Sequence, residues 1–141
     1  MTTEQEGQQK ASTAPPSAAR KKCILVVDDE LDTAIMLSLL LKRMGYNVLT
    51  AYDGIEGINW AENVYPDAVL LDLGMPSMDG FEVARTIRGT EWGRSLKLIA
   101  VTGHGEPEDR LHSHQAGFDL HLVKPVDQRT LADALGPPES H

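Results

Sequence analysis

The sequence predicts a three-layer α/β domain in which a doubly wound, five-stranded parallel sheet carries helices on both faces. Two observations support this fold class. Five apolar runs begin at residues 23, 47, 68, 96 and 118, so that 21 to 28 residues separate successive starts, the room that a strand–helix–strand crossover needs. Three of these runs, CILVV, AVLL and LKLIAV, are almost unbroken aliphatic residues, as expected of strands covered on both faces.

The first helix is predicted from about Glu30 to Met44, between strands Cys23–Val27 and Asn47–Ala51. Acidic residues at its start and basic residues at its end suit the helix dipole, and Gly45 can form a left-handed C-cap. Leu37, Leu40, Leu41 and Met44 recur at helical spacing and form an apolar stripe, which Ile35, Met36 and Leu39 widen. We therefore expect the first helix to be well buried.

The other helices also have recognisable ends. The second and third are predicted to begin at Asp53 and Asp79, each with a glutamate three residues later, as in capping boxes. The fourth runs from Pro107 to Gly117 with Leu111 as its only large apolar residue, so packing should hold it weakly. The fifth, from Asp127, is short and ends at Leu135. The remaining predicted strands are Ala68–Leu71, Leu96–Val101 and Phe118–Val123. Right-handed crossovers then give the flavodoxin-like strand order 2-1-3-4-5.

Three segments divide the chain. Residues 1–20 are rich in Gln, Ser, Thr, Ala and Pro and lack large aliphatic residues after Met1, which predicts a disordered leader. Residues 21–136 form the α/β domain, and residues 137–141 form a C-terminal tail. No helix-turn-helix or second catalytic domain follows Leu135, so we expect a module without an output domain.

Charge and composition exclude several classes of function. The chain has 13 Lys and Arg against 21 Asp and Glu, and this net charge of −8 argues against binding to nucleic acid or to anionic membranes. A single cysteine excludes an intramolecular disulfide. The sequence has neither an apolar run of membrane-spanning length nor the apolar segment of a signal peptide, so a cytoplasmic location is expected.

Polar residues at the ends of four predicted strands are candidates for chemistry: Asp28 and Asp29, Asp72, Thr102, and Lys124. Ligands of open α/β sheets bind beyond the carboxyl ends of the strands, where these side chains would meet. Neighbouring carboxylates repel one another unless a cation intervenes, and Mg²⁺ suits such oxygen ligands together with a phosphate oxygen. Taken singly, Asp28 or Asp29 could instead cap the helix that follows. Asp72 could not, because the next helix starts some seven residues later.

The motifs VVDDE at 26–30, DLGMPSMDG at 72–80, VTG at 101–103 and KP at 124–125 together resemble the receiver domain of two-component response regulators. The resemblance covers about residues 22–135. It implies that Asp72 accepts a phosphoryl group from a phosphohistidine of a histidine kinase or phosphotransfer protein. Mg²⁺ would be held by Asp28, Asp29, Asp72 and the backbone carbonyl of Gly74, while Lys124 and Thr102 would bind phosphoryl oxygens. The domain would be a signalling module, not an enzyme, and would catalyse only its own phosphorylation and dephosphorylation.

The resemblance also implies a switch. Thr102 would turn inward on phosphorylation, and His121 stands where receivers commonly place the tyrosine or phenylalanine of a rotameric switch. Gly74 and His104 occupy positions that tune the rate of dephosphorylation, and the Lys124–Pro125 peptide bond is expected to be cis.

The segments VTGHGEPEDR and AGFDLHLVKPVD are similar to receivers of hybrid histidine kinases. This similarity suggests a phosphorelay or adaptor role with an unknown downstream protein partner. The short fifth helix favours a monomer or a weak dimer.

Two other functions are compatible with parts of the sequence. A Mg²⁺-dependent phosphatase of the haloacid dehalogenase type also uses an aspartate nucleophile, but it needs D-x-D after the first strand, where this chain has Asp28-Asp29-Glu30. A phosphorylation-independent binding module would be favoured if any of the five pocket residues were missing, and none is.

Overall fold

A computed structural model of the chain describes residues 20–75, 79–103 and 107–140, with the side chains of 107–110 and 140 left out. Its centre is a five-stranded parallel sheet in the order β2-β1-β3-β4-β5. The strands are β1 Cys23–Val27, β2 Asn47–Ala51, β3 Ala68–Asp72, β4 Lys97–Thr102 and β5 Leu120–Val123. The predicted fold class and strand order are therefore confirmed. Strand β5 starts two residues later than predicted, because Phe118 packs into the core and Asp119 accepts a hydrogen bond from the Leu98 amide.

The helices are α1 Leu31–Arg43, α2 Gly54–Val64, α3 Gly80–Arg88, α4 Pro107–Ala116 and α5 Gln128–Leu135. Asp53, Asp79 and Asp127 precede α2, α3 and α5, and each carboxylate accepts a hydrogen bond from an amide in the first turn. Gly45 and Gly117 follow α1 and α4 with φ of +105° and +108°, the left-handed conformation that glycine adopts without strain. Among the described helices, none has both the length and the apolar character needed to cross a bilayer.

Two hydrophobic layers lie on opposite faces of the sheet. Strand residues such as Leu25, Val69 and Leu98 pack with α2, α3 and the end of α4. Their sequence neighbours, such as Ile24 and Leu70, point to the other face and pack with α1 and α5. Side chains of a strand alternate between faces, so unbroken aliphatic runs cover both layers at once.

The expected deep burial of α1 is wrong. Its buried side chains are Ala34, Ser38 and Leu41, which form one narrow stripe. Four large apolar side chains of this helix are exposed by 47% to 70%: Leu31, Ile35, Met36 and Leu39. The sheet contacts only one side of a helix, so the apolar stripe is wider than the surface available to cover it.

A short antiparallel pair of strands, Arg20–Lys21 with Glu139–Ser140, lies beside the main sheet. The amide of Lys22 extends it by donating to the Pro138 carbonyl at 2.7 Å. The prediction places Arg20 in the leader and residues 139 and 140 in the tail, and the structure pairs these residues with each other. The rest of the predicted leader, residues 1–19, lies outside the described residues.

Candidate functional site

The carboxyl ends of β1, β3, β4 and β5 bring the predicted polar residues together. Asp28 follows β1, Asp72 and Thr102 end β3 and β4, and Lys124 follows β5. The Lys124 ammonium lies 3.7 Å from Asp28 Oδ2 and 3.6 Å from Asp72 Oδ1. Asp28, Asp72 and Thr102 are all buried. The ends of β1, β3 and β5 thus bring Asp28, Asp72 and Lys124 into one polar pocket, and Thr102 ends the strand between β3 and β5.

Local backbone contacts fix the two buried carboxylates. The Asp28 amide donates to the Ala51 carbonyl at 3.0 Å, which continues the ladder of the sheet past the end of β1. Its Oδ1 accepts from the Glu30 amide at 3.0 Å, and Asp72 Oδ1 accepts from the Gly74 amide at 3.1 Å. The residue that caps α1 is Glu30, and its side chain makes no capping hydrogen bond. A helix-capping role for Asp28 therefore finds no support.

Among the described residues, the pocket holds more negative charge than its lysine balances. The pKa of Asp28 is raised to about 6, chiefly by burial and also by the nearby Asp72 carboxylate, whereas the Glu30 amide and Lys124 act in the opposite direction. The charged form of this carboxyl is thus costly in the absence of a further cation. Such a pocket favours any ligand that brings positive charge to it.

Three carboxylates are arranged to hold a metal ion. Oxygens of Asp28, Asp29 and Asp72 lie within 4.8 Å of one another, with Asp29 exposed and the other two buried. Carboxylate oxygens, with room for water at the exposed side, are the ligands that Mg²⁺ prefers. The residues present therefore fit Mg²⁺. Gly74 is exposed, and its amide donates to Asp72 Oδ1.

The profile of the family described as the response regulator receiver domain matches residues 24–136. The chain belongs to this family. Receivers are signalling modules of two-component systems, and phosphoryl acceptance is general to them. The match favours this assignment over the haloacid-dehalogenase-type phosphatase.

Individual relatives agree with this receiver assignment. The chain is 33% identical over 129 residues to the sensor protein GacS of Pseudomonas syringae pv. syringae, covering 89% of this chain but only 14% of GacS. The chemotaxis response regulator CheY4 of Vibrio cholerae has a TM-score of 0.78 at 31% identity, over 82% of this chain and 97% of CheY4. The receiver domain of the sensor histidine kinase PA1611 from Pseudomonas aeruginosa PAO1 has a TM-score of 0.74 at 34% identity, over 83% of this chain and 99% of that domain. That structure holds a magnesium ion in its active-site cleft.

The structure also places the other residues that the sequence singles out. The Lys124–Pro125 peptide bond is cis, as the resemblance implies. His121 is in β5, and its Nδ1 lies 2.9 Å from the hydroxyl of Ser113 in α4. His104, predicted to tune dephosphorylation, lies outside the described residues.

Sequence reasoning missed an apolar groove that leads to the pocket. A cavity of about 700 Å³ runs between α1 and the segment after β5, and Asp28, Asp72 and Lys124 line one part of it. Its apolar lining includes Met36, Leu40, Val101, Pro125 and Val126. No local pattern shows such a groove, because it depends on how far α1 extends beyond the sheet.

Proposed function

We propose that this receiver accepts a phosphoryl group on Asp72 from the phosphohistidine of a histidine kinase or a phosphotransfer protein, with Mg²⁺ as cofactor. The observation that carries the proposal is the contact of Lys124 with both buried carboxylates, at 3.6 and 3.7 Å. This contact places a fixed positive charge next to the carboxylate that would attack. Asp28, Asp29, Asp72 and the backbone carbonyl of Gly74 would hold the ion.

The transfer is a direct displacement. A carboxylate oxygen of Asp72 forms a bond to phosphorus while the bond between phosphorus and the partner's imidazole nitrogen breaks, and the imidazole leaves. The Gly74 amide and Lys124 hold Asp72 Oδ1 and so fix the orientation of the carboxylate. Lys124 and the Thr102 hydroxyl would then contact phosphoryl oxygens. Bound Mg²⁺ would supply charge neutralisation for the transferred group.

Thr102 and His121 would carry the signal away from the pocket. Thr102 ends β4 and pairs with Val123 of β5. An inward turn of Thr102 toward the phosphoryl group would therefore shift β5. In this strand His121 replaces the usual tyrosine or phenylalanine. This response would change the surface that a downstream protein contacts.

Gly74 would leave the phosphoryl group open to water. A Cβ atom added at Gly74 would have only Asp72 Oδ1, at 3.7 Å, within 4 Å. Because this glycine has no side chain, nothing at this position would hinder a water molecule that attacks phosphorus. His104 is the second residue proposed to tune this reaction.

The exposed apolar side of α1 supports docking of a protein partner. Met36 is 70% exposed, and it also lines the groove that ends at Asp72 and Lys124. Exposed apolar patches of this kind mark contact surfaces for other proteins. A partner helix that covers them would bring its phosphohistidine to the pocket.

Intact-mass analysis tests the proposal. The wild type, incubated with Mg²⁺ and acetyl phosphate, should gain the mass of one phosphoryl group, and Asp72→Ala should gain none. Asp79→Ala is the matched control, because Asp79 belongs to the same motif but caps α3 with an exposed side chain. Absence of the gain in the wild type, or an equal gain in Asp72→Ala, would contradict the proposal.

A further inference from the structure

The described side chains of helix α4, from Leu111 onward, hold it on the sheet mainly through small residues. Ser113 and Ala116 are 1% and 3% exposed, whereas Leu111, the only large aliphatic residue of the helix, is 56% exposed. By contrast, α3 buries Val83 and Ile87. Apolar burial is the main force that fixes a helix to a sheet, so α4 depends strongly on its specific polar contacts.

The contact between Ser113 and His121 joins α4 to β5. Ser113 Oγ and His121 Nδ1 lie 2.9 Å apart, the serine is buried, and the histidine is half-buried. A buried hydroxyl needs a hydrogen-bond partner, and this imidazole provides one. The backbone of Ser113 is also held at the end of α4, because its carbonyl accepts a hydrogen bond from the Phe118 amide at 3.0 Å.

This contact lies on the same face of the sheet as the Thr102 side chain. His121 is the register partner of Ala100 in β4, and Thr102 is two residues beyond Ala100 on that strand. Register partners in parallel strands point to the same face, and so do residues two apart on one strand. Ala100 belongs to the layer that packs with α3 and α4. Thr102 and the Ser113–His121 pair therefore lie in the same layer.

Strand β5 also connects the pair to the phosphoacceptor pocket. It is four residues long, with His121 at its second position, and Lys124 follows it directly. The Lys124 amide donates to the Thr102 carbonyl at 2.8 Å, while its ammonium contacts Asp72. A change at Asp72 that moves Thr102 or Lys124 thus acts on the strand that holds His121.

We infer that Ser113 and His121 form a latch: their hydrogen bond fixes α4 to β5 in the unphosphorylated receiver, and it opens when a phosphoryl group on Asp72 moves Thr102. The inference rests on the proposed function. It makes Ser113 the positioning residue of α4 and replaces the rotation of an aromatic ring by the breaking of one hydrogen bond. Phosphorylation would then release the helix.

Hydrogen exchange of the α4 amides in the full chain tests the latch. Beryllofluoride with Mg²⁺ serves as a stable analogue of the phosphoryl group. In the wild type we expect the analogue to speed exchange in α4 by about tenfold, as for a local opening. Ser113→Ala and His121→Phe should show this faster exchange without the analogue, and their double variant should show no more than either single variant. Ser38→Ala, which removes a buried serine of α1 on the opposite face, should behave like the wild type.

Three results would overturn the inference. The first is that, without the analogue, the α4 amides of both single variants exchange as slowly as those of the wild type. The second is that the increases in exchange rate of the two single variants add up in the double variant. The third is unchanged α4 exchange with beryllofluoride and Mg²⁺, when the same wild type gains the phosphoryl mass from acetyl phosphate. A wild type that gains no phosphoryl mass contradicts the proposed function instead, and the unmodified variants then still decide whether the hydrogen bond holds α4. Using two single variants keeps the test valid if one of them fails to fold.

Discussion

Charged side chains are paired differently at the two ends of the parallel sheet. At the carboxyl end, where the strands finish, Asp28 and Asp72 share the single ammonium of Lys124. At the amino end, where the strands start, several charged side chains are matched with opposite charges or with backbone carbonyls. Arg20, for example, pairs with Asp67 at 3.0 Å.

The amino end is a dense network. The Arg88 guanidinium donates to the carbonyls of Gly93, Leu96 and Gly117 and to the Asp119 carboxylate. Lysines also satisfy the last carbonyls of the short helix α5: Lys97 Nζ donates to Ala134 and Lys22 Nζ to Leu135. Cations at the C-terminal end of a helix are favourable with respect to its dipole.

The difference separates stability from function. At the amino end the polar groups satisfy one another, so each contributes to folding. At the carboxyl end two buried carboxylates lie closer to each other than stability would favour, and this makes the pocket receptive to a cation. Substitutions at the two ends should therefore change stability with opposite signs.

The largest effect is expected for Arg88→Ala. The substitution removes the five hydrogen bonds that this guanidinium donates and leaves partly buried carbonyls without a donor, so the free energy of unfolding should fall by about 3 kcal/mol. Urea denaturation measures the loss. Arg85→Ala, at an exposed position of the same helix, is the control and should change stability by less than about 0.5 kcal/mol. Equal urea midpoints for the two variants would contradict the importance of the network.

Asp67→Asn should lower the free energy of unfolding by about 2 kcal/mol at neutral pH, because Asp67 accepts from the Cys23 amide at 2.7 Å and from Arg20. Burial alone would raise the pKa of Asp67, but the hydrogen bonds from Arg20 and Cys23 and the attraction of Arg20 and Lys22 lower it below its usual value. The carboxylate therefore stabilises the fold above its unfolded pKa of 3.8, and this contribution is lost as pH falls through the lower folded pKa.

Thermal unfolding of wild type and Asp67→Asn at pH 7 and at pH 3 measures this dependence. The gap between the two proteins should narrow at the lower pH. A gap that is the same at both values would show that the charge of Asp67 has no role, and Asp133→Asn, at an exposed position of α5, serves as the control.

Asp28→Asn should have the opposite sign and raise the free energy of unfolding by about 1 kcal/mol in Mg²⁺-free buffer at pH 7.5, because it removes one of two neighbouring carboxylates. The folded pKa of Asp28, about 6, lies above the unfolded value of 3.8. The wild type should therefore lose stability relative to the variant as pH rises from about 4 to above 6. Calorimetry across this range tests the prediction, and a variant that is less stable at pH 7.5 would refute it. Mg²⁺ should stabilise the wild type more than the variant.

The smallest effect on stability is expected for Gly74→Ala, within about 0.5 kcal/mol, since the added Cβ has space. The methyl group should hinder water at the phosphoryl group and slow its loss by about threefold. Loss of phosphoryl mass over time measures the rate. Gly89→Ala, at the end of α3, should leave the rate unchanged. If both variants lose phosphate at the wild-type rate, Gly74 does not control access.

The fold and the pocket were predictable because their signals are local. Aliphatic runs specify the strands, and the residue after each run must lie at the carboxyl end of the sheet, which places Asp72 and Lys124. The exposure of Met36 was not predictable in this way, since an apolar pattern does not reveal how much surface the neighbouring elements can cover. Likewise Ser113 and Arg88 have no sequence signal, because their partners become neighbours only after α4 and β5 have packed.

The pairing of Arg20 with Ser140 brings the two ends of the domain to adjacent points. They lie at the amino end of the sheet, and the five residues of β1 span about 16 Å from there to the pocket. A circular permutant that joins residues 20 and 140 through a short glycine linker should therefore keep its phosphoacceptor chemistry. By the same geometry, a fluorescent reporter fused at either end of the domain would lie away from the pocket.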